Sequence, residues 1–105
     1  MAPEENEKIL EELQIAEQNM QNILLQKQAF QIELRETTAA INELEKSGDE
    51  VYKIVGQLMI KSDKKEMKED LQRKEKIIDL RLKSLEKQEA SLSEKIDEFQ
   101  RHARK

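Results

Sequence analysis

The chain has 105 residues, 40% of them charged and 3% aromatic, with two glycines and one proline. So little core-forming material excludes a globular core of ordinary size, and the enrichment in Glu, Lys, Leu, Gln and Ile fits long helices whose apolar residues form a seam. There is no cysteine, which excludes a disulfide framework and thiolate metal sites. No apolar leader opens the chain and no stretch reaches the roughly eighteen apolar residues of a membrane span, so a soluble, cytoplasmic protein is expected.

The net charge of −4 conceals an asymmetry: residues 1–50 carry 4 basic and 12 acidic side chains, and residues 51–105 carry 15 and 11. Two halves of opposite sign suit helices lying side by side, with flanking ion pairs favouring that pairing over like with like. Nucleic-acid binding would need a concentrated basic face, and Arg101, Arg104 and Lys105 at the chain end are too few.

The first predicted element is a helix over about residues 4–47. Pro3 suits its start, Glu4 and Glu5 its positive end, and Ser47-Gly48 its stop. Its apolar residues follow a heptad, with Leu13, Met20, Leu34 and Ile41 at a and Ile9, Ala16, Ile23, Phe30 and Leu44 at d, interrupted by Lys27 and Thr37.

The run VYKIVGQLMIK, residues 51–61, breaks this pattern and reads as a β-hairpin. Val51, Tyr52, Ile54, Val55, Leu58, Met59 and Ile60 are β-branched, aromatic or large apolar residues, and Gly56-Gln57 suits a two-residue turn with glycine at positive φ. The strands are placed at about 50–55 and 58–62. Both faces are apolar, and a solitary hairpin is marginal in water, so the element is expected to pair with strands of other chains. The alternative is a decorated turn folded onto its own helices.

A second helix is expected over about residues 63–103, started by Asp63 as cap with Glu66 three residues on. Leu71, Ile78, Leu85, Leu92 and Phe99 take d, and Leu82, Ile96 and Ala103 take a, interrupted by Lys68, Glu75 and Glu89. Reversal at Gly56 brings Leu13 opposite Phe99, Ala16 opposite Ile96, Met20 opposite Leu92, Phe30 opposite Leu82, Leu34 opposite Ile78 and Ile41 opposite Leu71. The expectation is an intramolecular antiparallel coiled coil closed by the hairpin, with arms of about 60 Å at about 1.5 Å per residue. In this register Lys27 faces Leu85 and Glu89 faces Ile23, so two successive layers lose apolar contact, a common use of polar seam positions to fix register.

Toward the free ends, Ile9, Leu10, Leu13, Ile15, Ile96 and Phe99 spread beyond a two-residue stripe, either as ordinary seam or as a contact surface for other chains. His102, the single histidine, sits among Arg101, Arg104 and Lys105, which would repel a metal cation. Neither a G-x-x-x-x-G-K-[ST] nor a G-x-G-x-x-G string occurs. No catalytic site, metal or cofactor is expected.

One hairpin carrying VYKIVGQLMIK between two helices, with Gln26-Lys27-Gln28, Ile41-Asn42-Glu43-Leu44 and the run Leu82 to Glu89, resembles the β-class subunits of prefoldin, an ATP-independent cochaperone. The resemblance covers about residues 10–100 and implies a single prefoldin-type domain over 1–105. It implies a hexamer of two α and four β subunits whose hairpins assemble into β-barrels and whose coiled coils hang as tentacles. It further implies that the tips hold non-native polypeptides and deliver them to a group II chaperonin. On this reading Ile9, Leu10, Leu13, Ile96 and Phe99 contact clients, and Val51, Tyr52, Ile54, Val55, Gly56, Leu58 and Ile60 build the platform. Glu4, Glu5, Arg101 and Arg104 are the charged groups for meeting a chaperonin. The competing expectation is a structural coiled-coil scaffold without client-holding activity.

Overall fold

The computed structural model describes residues 3–103. In chain order the elements are α1 (Pro3–Lys46), β1 (Val51–Val55), β2 (Leu58–Ser62) and α2 (Lys64–Ala103). The expected fold of two long helices joined by one antiparallel hairpin is present, with element limits within a residue of those read from the pattern. The residues group into two compact units, a terminal unit formed by the segments up to Ala29 and from Leu82 onward, and a hairpin unit, Phe30–Arg81.

Local chemistry explains the ends of the elements. Glu4 and Glu5 lie in the first turn of α1 and Lys46 in its last, each matching the sign of the helix dipole. The stop falls one residue earlier than expected and glycine does not make it. The Ser47 N–H donates to the carbonyls of Glu43 at 3.1 Å and Leu44 at 3.3 Å, and its hydroxyl donates to Leu44 at 2.7 Å, so Ser47 satisfies the carbonyls a helix end leaves open. Among the described residues only Gly56, not Gly48, has positive φ. Lys64 Nζ then donates to the Ser47 carbonyl at 2.7 Å, tying the end of α1 to the start of α2.

Asp63 caps α2 as expected: its Oδ1 accepts from the Lys65 N–H at 3.1 Å and its carbonyl from the Met67 N–H at 3.0 Å. No returning bond from Glu66 occurs among the described residues, so only half of the expected box forms.

The heptads predict burial closely. Every a and d position from Ile9 to Leu44 in α1, and from Lys68 to Phe99 in α2, is buried or half-buried. In the hairpin unit the core comprises Thr37, Ile41, Leu44, Val51 and Ile78; in the terminal unit it comprises Ala16, Ile23, Leu82 and Leu85. No large side chain among the described residues is wholly enclosed, so the helices are held by a stripe rather than by a core in the round.

Val55 pairs with Leu58 and Val51 with Ser62, which centres the reversal between Gly56 and Gln57 instead of on Gly56. The helices of the hairpin unit keep that correspondence. Thr38 Oγ1 donates to Glu75 Oε2 at 3.0 Å and Lys68 Nζ lies 3.1 Å from Glu45 Oε1, each pair equidistant along the chain from the turn.

Asp63→Ala removes an acceptor that the first turn of α2 uses, and should cost about 1 kcal/mol, with Asp63→Asn costing much less. Urea unfolding followed by far-ultraviolet circular dichroism checks this; equal losses for the two variants would assign the effect to charge and not to the cap.

Candidate functional site

The hairpin is built for a tight reversal. Gly56 has φ +62° and no other described residue has positive φ, which is the pattern of a type II′ turn whose twist suits the flanking strands. With a two-residue turn, Val55 and Leu58 exchange both backbone bonds, and bonded and non-bonded pairs then alternate along the ladder. The backbone groups of Tyr52, Ile54, Met59 and Lys61 therefore point outward, two residues on each edge. Among the described residues the sheet has only these two strands.

Side chains compound the exposure. One face presents Val51, Lys53 and Val55 against Ser62, Ile60 and Leu58, and the other presents Tyr52 and Ile54 against Lys61 and Met59. Only Val51 is buried; Ile54 is 72% exposed, Met59 69% and Leu58 66%. The base of the hairpin does rest on the helices, where Tyr52 and Ser62 border a cleft of about 410 Å³ with Met67 and Leu71. Beyond that base, Ile54, Leu58 and Met59 stay largely in water, and Val55 and Ile60 are about half exposed. Met59 was not among the expected platform residues, although its alternation with Leu58 and Ile60 places it on the Tyr52–Ile54 face.

The expected client-binding residues lie in the terminal unit. Phe99 is half-buried and borders a cleft of about 190 Å³ together with Ile15, Ala16 and Leu92. Ile9, Leu13 and Ile96 are half-buried in the seam, whereas Leu10 is 51% and Ile15 58% exposed. Leu25 and Leu80, off the seam and not singled out by the heptads, are also well exposed. Glu4, Glu5 and Arg101 are exposed, and Arg104 lies outside the described residues.

The polar interruptions of the seam all have partners. Lys27 and Glu89, in successive layers of the seam, bridge them: Lys27 Nζ donates to Glu89 Oε2 at 2.9 Å, because the long lysine stem reaches along the seam. That hydrogen bond raises the Lys27 pKa above its ordinary 10.5, against a smaller opposing effect of burial and with further help from the charges of Glu89 and Glu86. Thr37, buried at d, donates its hydroxyl to the Glu33 carbonyl one turn back at 2.8 Å. Lys68 and Glu75 take the partners named above, and the Arg81 guanidinium lies 5.6 Å from the centre of the Phe30 ring.

A family model described as prefoldin subunit matches residues 7–105. The chain belongs to the prefoldin subunit family. The prefoldin subunit beta of Thermococcus onnurineus is 39% identical over 99 residues, covering 92% of this chain and 85% of that protein. The prefoldin subunit beta of Methanothrix thermoacetophila is 39% identical over 93 residues, covering 87% and 78%. The crystal structure of the prefoldin beta subunit from Thermococcus strain KS-1 superposes with a TM-score of 0.88 at 35% identity, covering 96% of this chain and 90% of that one. The resemblance carried by VYKIVGQLMIK is thereby borne out, and these relatives support a prefoldin-type chaperone role over that of a bare scaffold. Among the described residues no helix is long and apolar enough to cross a membrane, and no cluster of His, Cys, Asp or Glu could hold a metal ion.

Because Lys27 holds its proton more tightly in this prefoldin fold than in the unfolded chain, the pair's contribution is complete below pH 10.5. It is lost as pH rises through the raised value. Thermal unfolding from neutral pH to above 10.5 should show the parent losing more stability than a Lys27→Met/Glu89→Met variant; equal losses contradict the assignment.

Proposed function

We propose that the whole chain, residues 1–105, acts as one prefoldin-type domain, the β-type subunit of a cytoplasmic hexamer with two α and four β chains. In that hexamer it holds non-native polypeptides for transfer to a group II chaperonin, without catalytic chemistry or a cofactor. The observation that carries this reading is the hairpin: two open edges and two apolar faces that the chain's own helices leave in water. Pairing those edges with neighbouring hairpins satisfies the outward backbone groups and buries Ile54, Val55, Leu58 and Ile60, the contribution of each buried apolar side chain being about 1.5–3 kcal/mol.

Holding requires only weak contacts in several places. Non-native chains expose apolar segments, and the free ends of several subunits joined at one platform raise each other's effective concentration for the same client. Leu10 and Ile15 are exposed and Phe99 half-buried beside Ile15, which supports the helix ends, including Ile9, Leu13 and Ile96, as the contact surface. Glu4, Glu5 and Arg101 are available there for a charged contact with the chaperonin.

Three outcomes are expected. The assembled protein should suppress aggregation of a chemically unfolded substrate without nucleotide, and absence of suppression would sink the chaperone reading. Ile54→Asp and Ile60→Asp should dissociate the oligomer in sedimentation while helical content stays near that of the parent. Removing residues 1–12 and 97–105 should preserve the oligomer and weaken client capture; undiminished capture moves the binding surface elsewhere.

A further inference from the structure

The acidic helix α1 contains an unusual window. Between Glu17 and Glu33 it has no carboxylate and seven amide side chains, at Gln18, Asn19, Gln21, Asn22, Gln26, Gln28 and Gln31. Within the terminal unit this window forms one wall of a shallow groove of about 590 Å³. Its α1 wall comprises Asn19, Asn22 and Gln26; α2 supplies Lys87, Ser91 and Lys95; buried Ile23 and half-buried Leu92 form the floor. The groove shares Asn19, Leu92 and Lys95 with the apolar cleft of Ile15 and Phe99, so the two are continuous.

The lining of the groove itself carries charge of one sign, from Lys87 and Lys95. No carboxylate lines the groove, and Glu12 at the apolar end is the single one in the adjoining cleft. On its outer flank Lys95 borders Glu94, Asp97 and Glu98, yet among the described residues neither Lys87 nor Lys95 forms an ion pair. Side-chain amides both donate and accept, matching the alternating N–H and C=O of any extended backbone whatever its sequence. Two unpaired ammonium groups select for carboxylates.

We propose that this groove holds an extended segment of non-native polypeptide in which an apolar residue adjoins acidic ones. The apolar side chain enters the Ile15–Phe99 cleft, the amides bond the backbone, and Lys87 and Lys95 meet the carboxylates. The proposal rests on the client-holding reading above and adds a charge preference to it.

The test uses the intact oligomer and three fluorescent peptides with the same apolar centre flanked by Glu, Gln or Lys, read by anisotropy. The Glu-flanked peptide should bind about three- to tenfold tighter than the Lys-flanked one, as one or two exposed ion pairs allow. The gap should narrow as salt rises. Lys87→Gln/Lys95→Gln, with sedimentation and helical content matching the parent, should abolish the gap between the Glu-flanked and Lys-flanked peptides. Equal binding of all three peptides, or a preference that survives the double replacement, overturns the proposal while leaving client holding intact. Failure of all three to bind overturns the client-holding reading itself.

Discussion

A two-stranded antiparallel sheet satisfies only the inward half of its backbone hydrogen-bonding groups, and this constraint governs what the chain can do alone. The outward groups of Tyr52, Ile54, Met59 and Lys61 bond water as long as the hairpin is solitary, and the apolar side chains beside them stay wet. Nothing in two amphipathic helices can correct this, since each helix uses its own backbone internally and commits its apolar stripe to the other helix. The remedy is another strand, which relieves the open edge and the apolar faces together. The hairpin is thus an element whose stability belongs to an assembly, whereas the helices draw theirs from within the chain.

The helices give that element a fixed base. Val51 is buried, Lys64 fastens the start of α2 to the end of α1, and Asp63 starts α2 directly after the second strand. Register set by the Gly56-Gln57 turn persists as far as Thr38 and Glu75, so turn, strand pairing and helix seam agree. The seam's polar positions follow the same economy. Lys27 with Glu89, Lys68 with Glu45 and Glu75 with Thr38 exchange apolar contact for specific partners, which disfavours slipped pairings more than it strengthens the right one.

Much of this is legible in the sequence because three local signals carry it. The heptads locate the seam, the β-branched run locates the strands, and Gly56 locates the turn; each of these depends on residues near one another in the chain. The Lys27–Glu89 bond is not legible, because a long side chain can reach a full turn along the seam and the heptad specifies only where its Cα lies. Of the expected stop Ser47-Gly48, Ser47 does the work, because its hydroxyl and N–H satisfy the helix-end carbonyls without a left-handed residue. The groove beside Lys87 and Lys95 requires two helices in known register before its walls meet, although the carboxylate-free window from Gln18 to Ile32 is visible in the sequence of α1. The apolar strands of the hairpin are readable as such; Ile9, Leu13, Ile96 and Phe99, proposed above as client contacts, share the heptad with the seam, so their spacing alone does not distinguish the two roles.

The central claim is that neighbouring chains complete the hairpin, and amide hydrogen exchange on the native assembly tests it most directly. The outward amides of Tyr52, Ile54, Met59 and Lys61 should exchange as slowly as the inward amides of Lys53, Val55, Leu58 and Ile60. Outward amides that exchange at the rate of open solvent while the inward ones stay protected would mean that the edges remain free, and the account of assembly would be contradicted.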